Sequence, residues 1–66
     1  MNLNLSKYIE KVVCILADNG ETFIGVVEDY FYADENEDGK ESIVVKVEDG
    51  SLIEFRQEDI DKISLI

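Results

Sequence analysis

The chain has 66 residues, 45% of them hydrophobic, and its sixteen acids against six bases leave a formal net charge of −10. A chain of this length makes one domain, residues 1–66, with a small core that buries only about 60% of the unfolded surface, and its apolar content excludes a disordered tail. The charge opposes nucleic-acid phosphates and anionic lipid, and suits a basic protein partner or mimicry of a nucleic acid.

The single cysteine, Cys14, lies inside an apolar run and reads as a small buried hydrophobe. One cysteine makes no internal disulfide, which fits a reducing, cytoplasmic setting. The opening MNLNLSKYIEKVV lacks the charged start and apolar stretch of a signal peptide, so none is expected. No apolar run approaches the ~20 residues that cross a bilayer, so no membrane association is expected.

In chain order, Asn4 or Ser6 caps a short opening helix over about residues 4–10, with Leu5 and Ile9 on one face. A first strand over residues 11–17, KVVCILA, is apolar on both alternating faces, which points to cover from both sides or burial in an oligomer. Asp18-Asn19-Gly20-Glu21 predicts a type I′ hairpin turn, with positive φ at both central residues. Residues 22–32, TFIGVVEDYFY, form the long strand beside which the others are laid. Along it Phe23, Gly25 and Val27 share one face and Ile24 and Val26 the other, with a bend at Gly25. The alternation fails at Glu28-Asp29, which predicts a bulge or the end of regular pairing.

An acidic hairpin loop, ADENEDGKE, leads into a third strand over 42–48 with Ile43, Val45 and Val47 inward and Lys46 outward. Asp49-Gly50 marks a second tight turn, and a fourth strand over 52–56 points Ile53 and Phe55 inward. Gln57 to Ile60 is a single 3₁₀ turn, and a fifth strand over 62–66 closes the chain. The predicted fold is mainly β, a five-stranded, SH3-like antiparallel barrel with a short N-terminal helix.

The short helix, DNG, F-x-G-x-V, the acidic loop, SIVV and F-R-x-x-x-I together resemble a divergent Sm-like (LSm) fold, over Leu5 to Ile66. They resemble more closely a group of small, acidic Sm-like proteins of Gram-positive bacteria and their mobile elements. The resemblance implies ring assembly and binding of uridine-rich RNA. It carries over unevenly to the RNA site. Gly25, Val27 and Tyr30 match, but Phe31 stands where the family has aspartate and Ser42 where it has asparagine. Phe55-Arg56-Gln57 keeps the family's arginine and loses its glycine. With no basic surround, Arg56 reads better as an exposed residue paired with nearby acids, and RNA is disfavoured.

Asp34-Glu35-Asn36-Glu37-Asp38-Gly39 matches the first half of a calcium loop, D-x-N-x-D-G. The twelfth position, where a bidentate glutamate belongs, is Val45, so no metal or other cofactor is assigned. Catalysis is not expected. The chain has no histidine, no phosphate loop and no nucleophile motif, and its carboxylates lie in solvated runs.

Tyr30, Phe31 and Tyr32 in succession cannot all face inward, so an aromatic faces outward among acids. These residues make the candidate partner-binding set: Asp29, Tyr30, Tyr32, Asp34, Glu35, Glu37, Asp38 and Glu41. The predicted function is a non-catalytic protein-binding module for a basic partner, with a dimer favoured over a ring. The alternatives are a divergent Sm-like RNA binder and an acidic inhibitor that mimics nucleic-acid phosphates.

Overall fold

The computed structural model describes residues 5–36 and 39–66. A 3₁₀ turn at Leu5–Tyr8 precedes five strands: β1 (Val12–Ala17), β2 (Thr22–Phe31), β3 (Ser42–Val47), β4 (Leu52–Arg56) and β5 (Ile60–Leu65). Further 3₁₀ turns lie at Ala33–Glu35 and Gln57–Asp59. The strands form one antiparallel sheet in the order β4-β3-β2-β1-β5. The long strand is therefore central, as its length and composition require.

The expected barrel closure is absent: β4 and β5 each have one hydrogen-bonded neighbour, and the sheet is open. It is nevertheless strongly curved. Arg56 at one edge and Ile60 at the other are four residues apart, a span of about 14 Å at most. The intervening turn straps the two halves together. The Gln57 amide donates to the Glu41 carbonyl, and the Asp18 amide donates to the Asp59 carbonyl, each at 2.9 Å.

The core fills the concave side. Val13, Ile15, Val27, Ile43 and Val45 are fully buried there, with Phe55 and Ile60 nearly so. Leu5 and Tyr8 cover this side from the N-terminal turn. The expected pair was Leu5 with Ile9, at α-helical spacing. In a 3₁₀ turn residues three apart eclipse, so Tyr8 takes the inward place and Ile9 is exposed. Of the two expected helix caps, Asn4 lies outside the described residues.

Bulges adjust the alternation twice. Val27 pairs with Val45 and Asp29 with Val44, so Glu28 is an extra residue on β2. This is the bulge expected at Glu28-Asp29, and beyond it the even positions face inward: Tyr30 pairs with Ile43, which pairs with Phe55. In β5 Ile60 pairs with Ala17 and Lys62 with Leu16, leaving Asp61 extra and starting the strand two residues earlier than predicted.

The β1–β2 turn is not type I′. Among the described residues Glu10 is the non-glycine residue at positive φ (64°), so Asn19 does not adopt the conformation that turn demands. Instead the Gly20 amide donates to the Ala17 carbonyl (3.0 Å) and only Gly20 is left-handed, at φ 90°. This is a type I turn followed by a glycine bulge, and Asn19 stabilises it by accepting the Glu21 amide on Oδ1 (3.0 Å). The β3–β4 turn repeats the design: the Gly50 amide donates to the Val47 carbonyl, and Asp49 Oδ1 accepts the Ser51 amide, each at 2.9 Å. Those bonds from Ser51 hold the Asp49 carboxyl below its ordinary pKa.

The convex side of the sheet is also apolar at its centre. Val12 lies opposite Val26, and Cys14 between Ile24 and Ser64. Val12 and Ile24 are exposed, and Cys14 is half-buried rather than a core residue. The core lies on the other side of β1, so the two-sided apolarity of that strand has cover on one side only. Among the described residues, no helix is long and apolar enough to cross a membrane.

Candidate functional site

The site predicted around the acidic loop begins where the bulge ends. Because Glu28 shifts the alternation, Tyr30 turns toward the core and is half-buried against it. Phe31 is half-buried, and Tyr32, just past the strand end, is 62% exposed. Tyr32 meets Tyr30 edge to face, ring centroids 4.9 Å apart at 82°. An outward aromatic is thus braced on one anchored in the core, the geometry such pairs prefer. Asp29 and Asp34, on either side of it in the sequence, are exposed, and Asp29 Oδ1 accepts the Tyr30 amide (2.9 Å).

Beyond Tyr32 the chain makes the 3₁₀ turn Ala33–Glu35. Asn36 then holds the loop: its side-chain amide donates to the Lys40 carbonyl (2.6 Å) and to Ser42 Oγ (3.2 Å). The Gly39 amide returns to the Asn36 carbonyl (3.1 Å). Glu37 and Asp38, both in the predicted set, lie outside the described residues. Glu35 belongs to the turn by its backbone.

Glu41 stands apart from the rest of the predicted set. It is half-buried, and its Oε1 accepts the Leu5 amide at 3.2 Å, which ties the N-terminal turn to the start of β3. Its own amide donates to Gln57 Oε1 (3.3 Å). Glu41 thus fastens the core cover, whereas Asp29, Tyr32 and Asp34 face solvent. Sequence reasoning missed this role and that of Asn36, whose place in the chain suggests only a position in a calcium loop. The signal for Asn36 was present: an Asx residue between a turn and the first strand residue with a hydroxyl.

The same contacts bear on metal and RNA chemistry. The Asn36 amide is engaged within the loop, and Val45 is buried on the concave side of β3. Among the described residues, no group of three or more histidine, cysteine, aspartate or glutamate side chains could hold a metal ion. Ser42 is fully buried, and its hydroxyl accepts the Asn36 side-chain amide (3.2 Å). Arg56 is exposed, and Asp59 Oδ2 accepts its backbone amide (3.0 Å). Lys40 forms a surface ion pair with Glu58 (3.5 Å).

The described residues of the site give an exposed tyrosine ring braced on Tyr30, exposed carboxylates at Asp29 and Asp34, and a loop held at its neck by Asn36. A scan of protein-family models and searches of curated proteins and of solved structures return no significant match to the chain.

Proposed function

We propose that this chain is a non-catalytic protein-binding module whose partner is basic and docks on Tyr32 and the acidic loop behind it. The observation that carries the reading is the bracing of Tyr32: 62% exposed, yet held edge-on by Tyr30, with exposed Asp29 and Asp34 near it along the chain. Aromatic anchors that a partner can bury supply most of an interface's energy, and fixed charge around them raises the encounter rate. Glu35, Glu37 and Asp38 extend the same charge along the loop.

The fold assignment that accompanies this reading is an open Sm-like arrangement in a cytoplasmic protein. It is supported by the strand order, the 3₁₀ turn at the N-terminus and the short turn between β4 and β5. The free edges β4 and β5 favour self-association by strand pairing, and the charge on Glu54, Glu58, Asp59 and Asp61 favours a dimer over a ring.

The test is capture of a partner from the source cell, followed by two variants. One replaces Asp34, Glu35, Glu37 and Asp38 by Asn or Ser; the other is Tyr32→Ala. The charge variant should slow association and flatten its salt dependence, and Tyr32→Ala should speed dissociation. Two folded variants with unchanged affinity and salt dependence would place the site elsewhere.

A further inference from the structure

At the opposite end of β2 from the acidic loop, the sheet carries a second concavity that the Tyr32 surface does not reach. It is a solvent-open groove of about 410 Å³ between the start of β2 and the end of β3, lined by Thr22, Phe23, Ile24, Val47, Glu48 and Asp49. That volume lies in the roughly 300–1,000 Å³ range of ligand clefts.

Its walls differ in chemistry. Phe23 and Val47 are half-buried members of the core margin, and Phe23 is held edge to face against Phe55, with centroids 5.2 Å apart. This side is apolar and fixed. The other side is the β3–β4 turn, where Glu48 and Asp49 are exposed. Asp49 is locked in place by the Ser51 amide. An aromatic and aliphatic wall with two exposed acidic residues on a tight turn at its border matches one kind of side chain, a long apolar stem that ends in a cation.

We propose that this groove is a docking site for an arginine side chain of a peptide segment. The stem lies along Phe23 and Val47, and the guanidinium bonds the carboxylates of Glu48 and Asp49. Arginine fits better than lysine because its planar, weakly hydrated head lies against an aromatic ring and presents paired donors to a carboxylate. The site is separate from the Tyr32 surface. Antiparallel β2 begins at the groove and ends at the acidic loop, ten residues away.

The experiment titrates acetyl-Gly-Arg-Gly-amide into ¹⁵N-labelled protein at low salt and follows amide shifts by NMR. Shifts should concentrate at Thr22–Ile24 and Val47–Asp49, with a dissociation constant on the order of millimolar. Glu48→Gln and Asp49→Asn should each weaken binding about two- to fivefold, as exposed ion pairs do. Asp49→Asn retains an acceptor for the Ser51 amide, so the turn survives. Asp34→Asn should change nothing here, which separates this site from the acidic loop. The matched lysine peptide should bind more weakly and the norleucine peptide should leave the spectrum unchanged. Equal shifts from lysine and arginine, shifts scattered over carboxylates all round the surface, or binding that survives the double variant Glu48→Gln/Asp49→Asn would each overturn the proposal.

Discussion

Gly25→Ala should destabilise the fold more than any other glycine substitution, for a reason of space rather than backbone angle. Gly25 is not among the residues at positive φ. An alanine Cβ there would press on the Lys46 carbonyl oxygen and stand 2.8 Å from Val45 Cγ1 and 2.9 Å from the Lys46 carbonyl carbon. Two of those three atoms are backbone, so relief requires β2 and β3 to separate at the Gly25–Val47 pairing. Overpacking of this kind costs about 1–3 kcal/mol, and an immovable neighbour places it in the upper part of that range. The stiffer unfolded chain returns about 0.4–1 kcal/mol. The net loss is roughly 1–2.5 kcal/mol, against a total stability of about 3–10 kcal/mol for a domain of this size. The midpoint of a far-ultraviolet circular-dichroism melt should fall by about 5–15 °C. Gly20→Asn is the control, with φ 90° and nothing within 4 Å of its Cβ, and should lose less than about 1 kcal/mol. A Gly25→Ala melt within about 2 °C of the parent would refute the steric argument.

Glu10→Gly should stabilise by roughly 1 kcal/mol, because Glu10 is exposed yet held at φ 64°; an unchanged urea midpoint would contradict this. Sodium chloride at fixed pH should raise the melting midpoint, since seven acids face one lysine between Glu28 and Glu41 and their repulsion is screened once the Debye length reaches about 10 Å. A midpoint that falls with salt would show that ion pairs dominate instead. Asp49 provides a pH test. Its folded carboxyl is depressed below its ordinary 3.8, so its contribution is present above that pH and is lost as pH falls through the lower folded value. The stability of the parent relative to Asp49→Asn should therefore be constant near neutrality and decline below about pH 4; a difference independent of pH would exclude the linkage.

Strands and hairpin positions were legible because their signals are local. Ile43, Val45 and Phe55 alternate inward as their spacing demands, and Gly20 and Gly50 mark the turns. The failures share a different cause. Whether Leu5 pairs with Ile9 or Tyr8 depends on winding the turn as 3₁₀ rather than α, which a four-residue segment settles through its contact with the core. Cys14 was misplaced because alternation names two faces without saying which is covered; only the partner strands decide that. The sheet's openness is likewise a matter of which strands meet. For the candidate site, an outward aromatic was foreseeable from three in a row, and Tyr32 is the exposed one because it lies just past the end of β2. Glu41 was hidden, because its task is to accept an amide thirty-six residues away in sequence.

The bulge at Glu28 acts on the strand much as an inserted base acts on a reading frame. Were Glu28 instead forced into strict pairing opposite Val44, every later side chain of β2 would rotate by half a turn about the strand. Tyr30 would leave the core for solvent, and Asp29 would be carried inward. Deleting Glu28 outright removes the extra residue and keeps the pairs Asp29–Val44 and Tyr30–Ile43 and the sides they face. Length changes in this region should therefore survive at Glu28 itself or within residues 33–41, where a loop absorbs them without changing the side on which any strand residue faces.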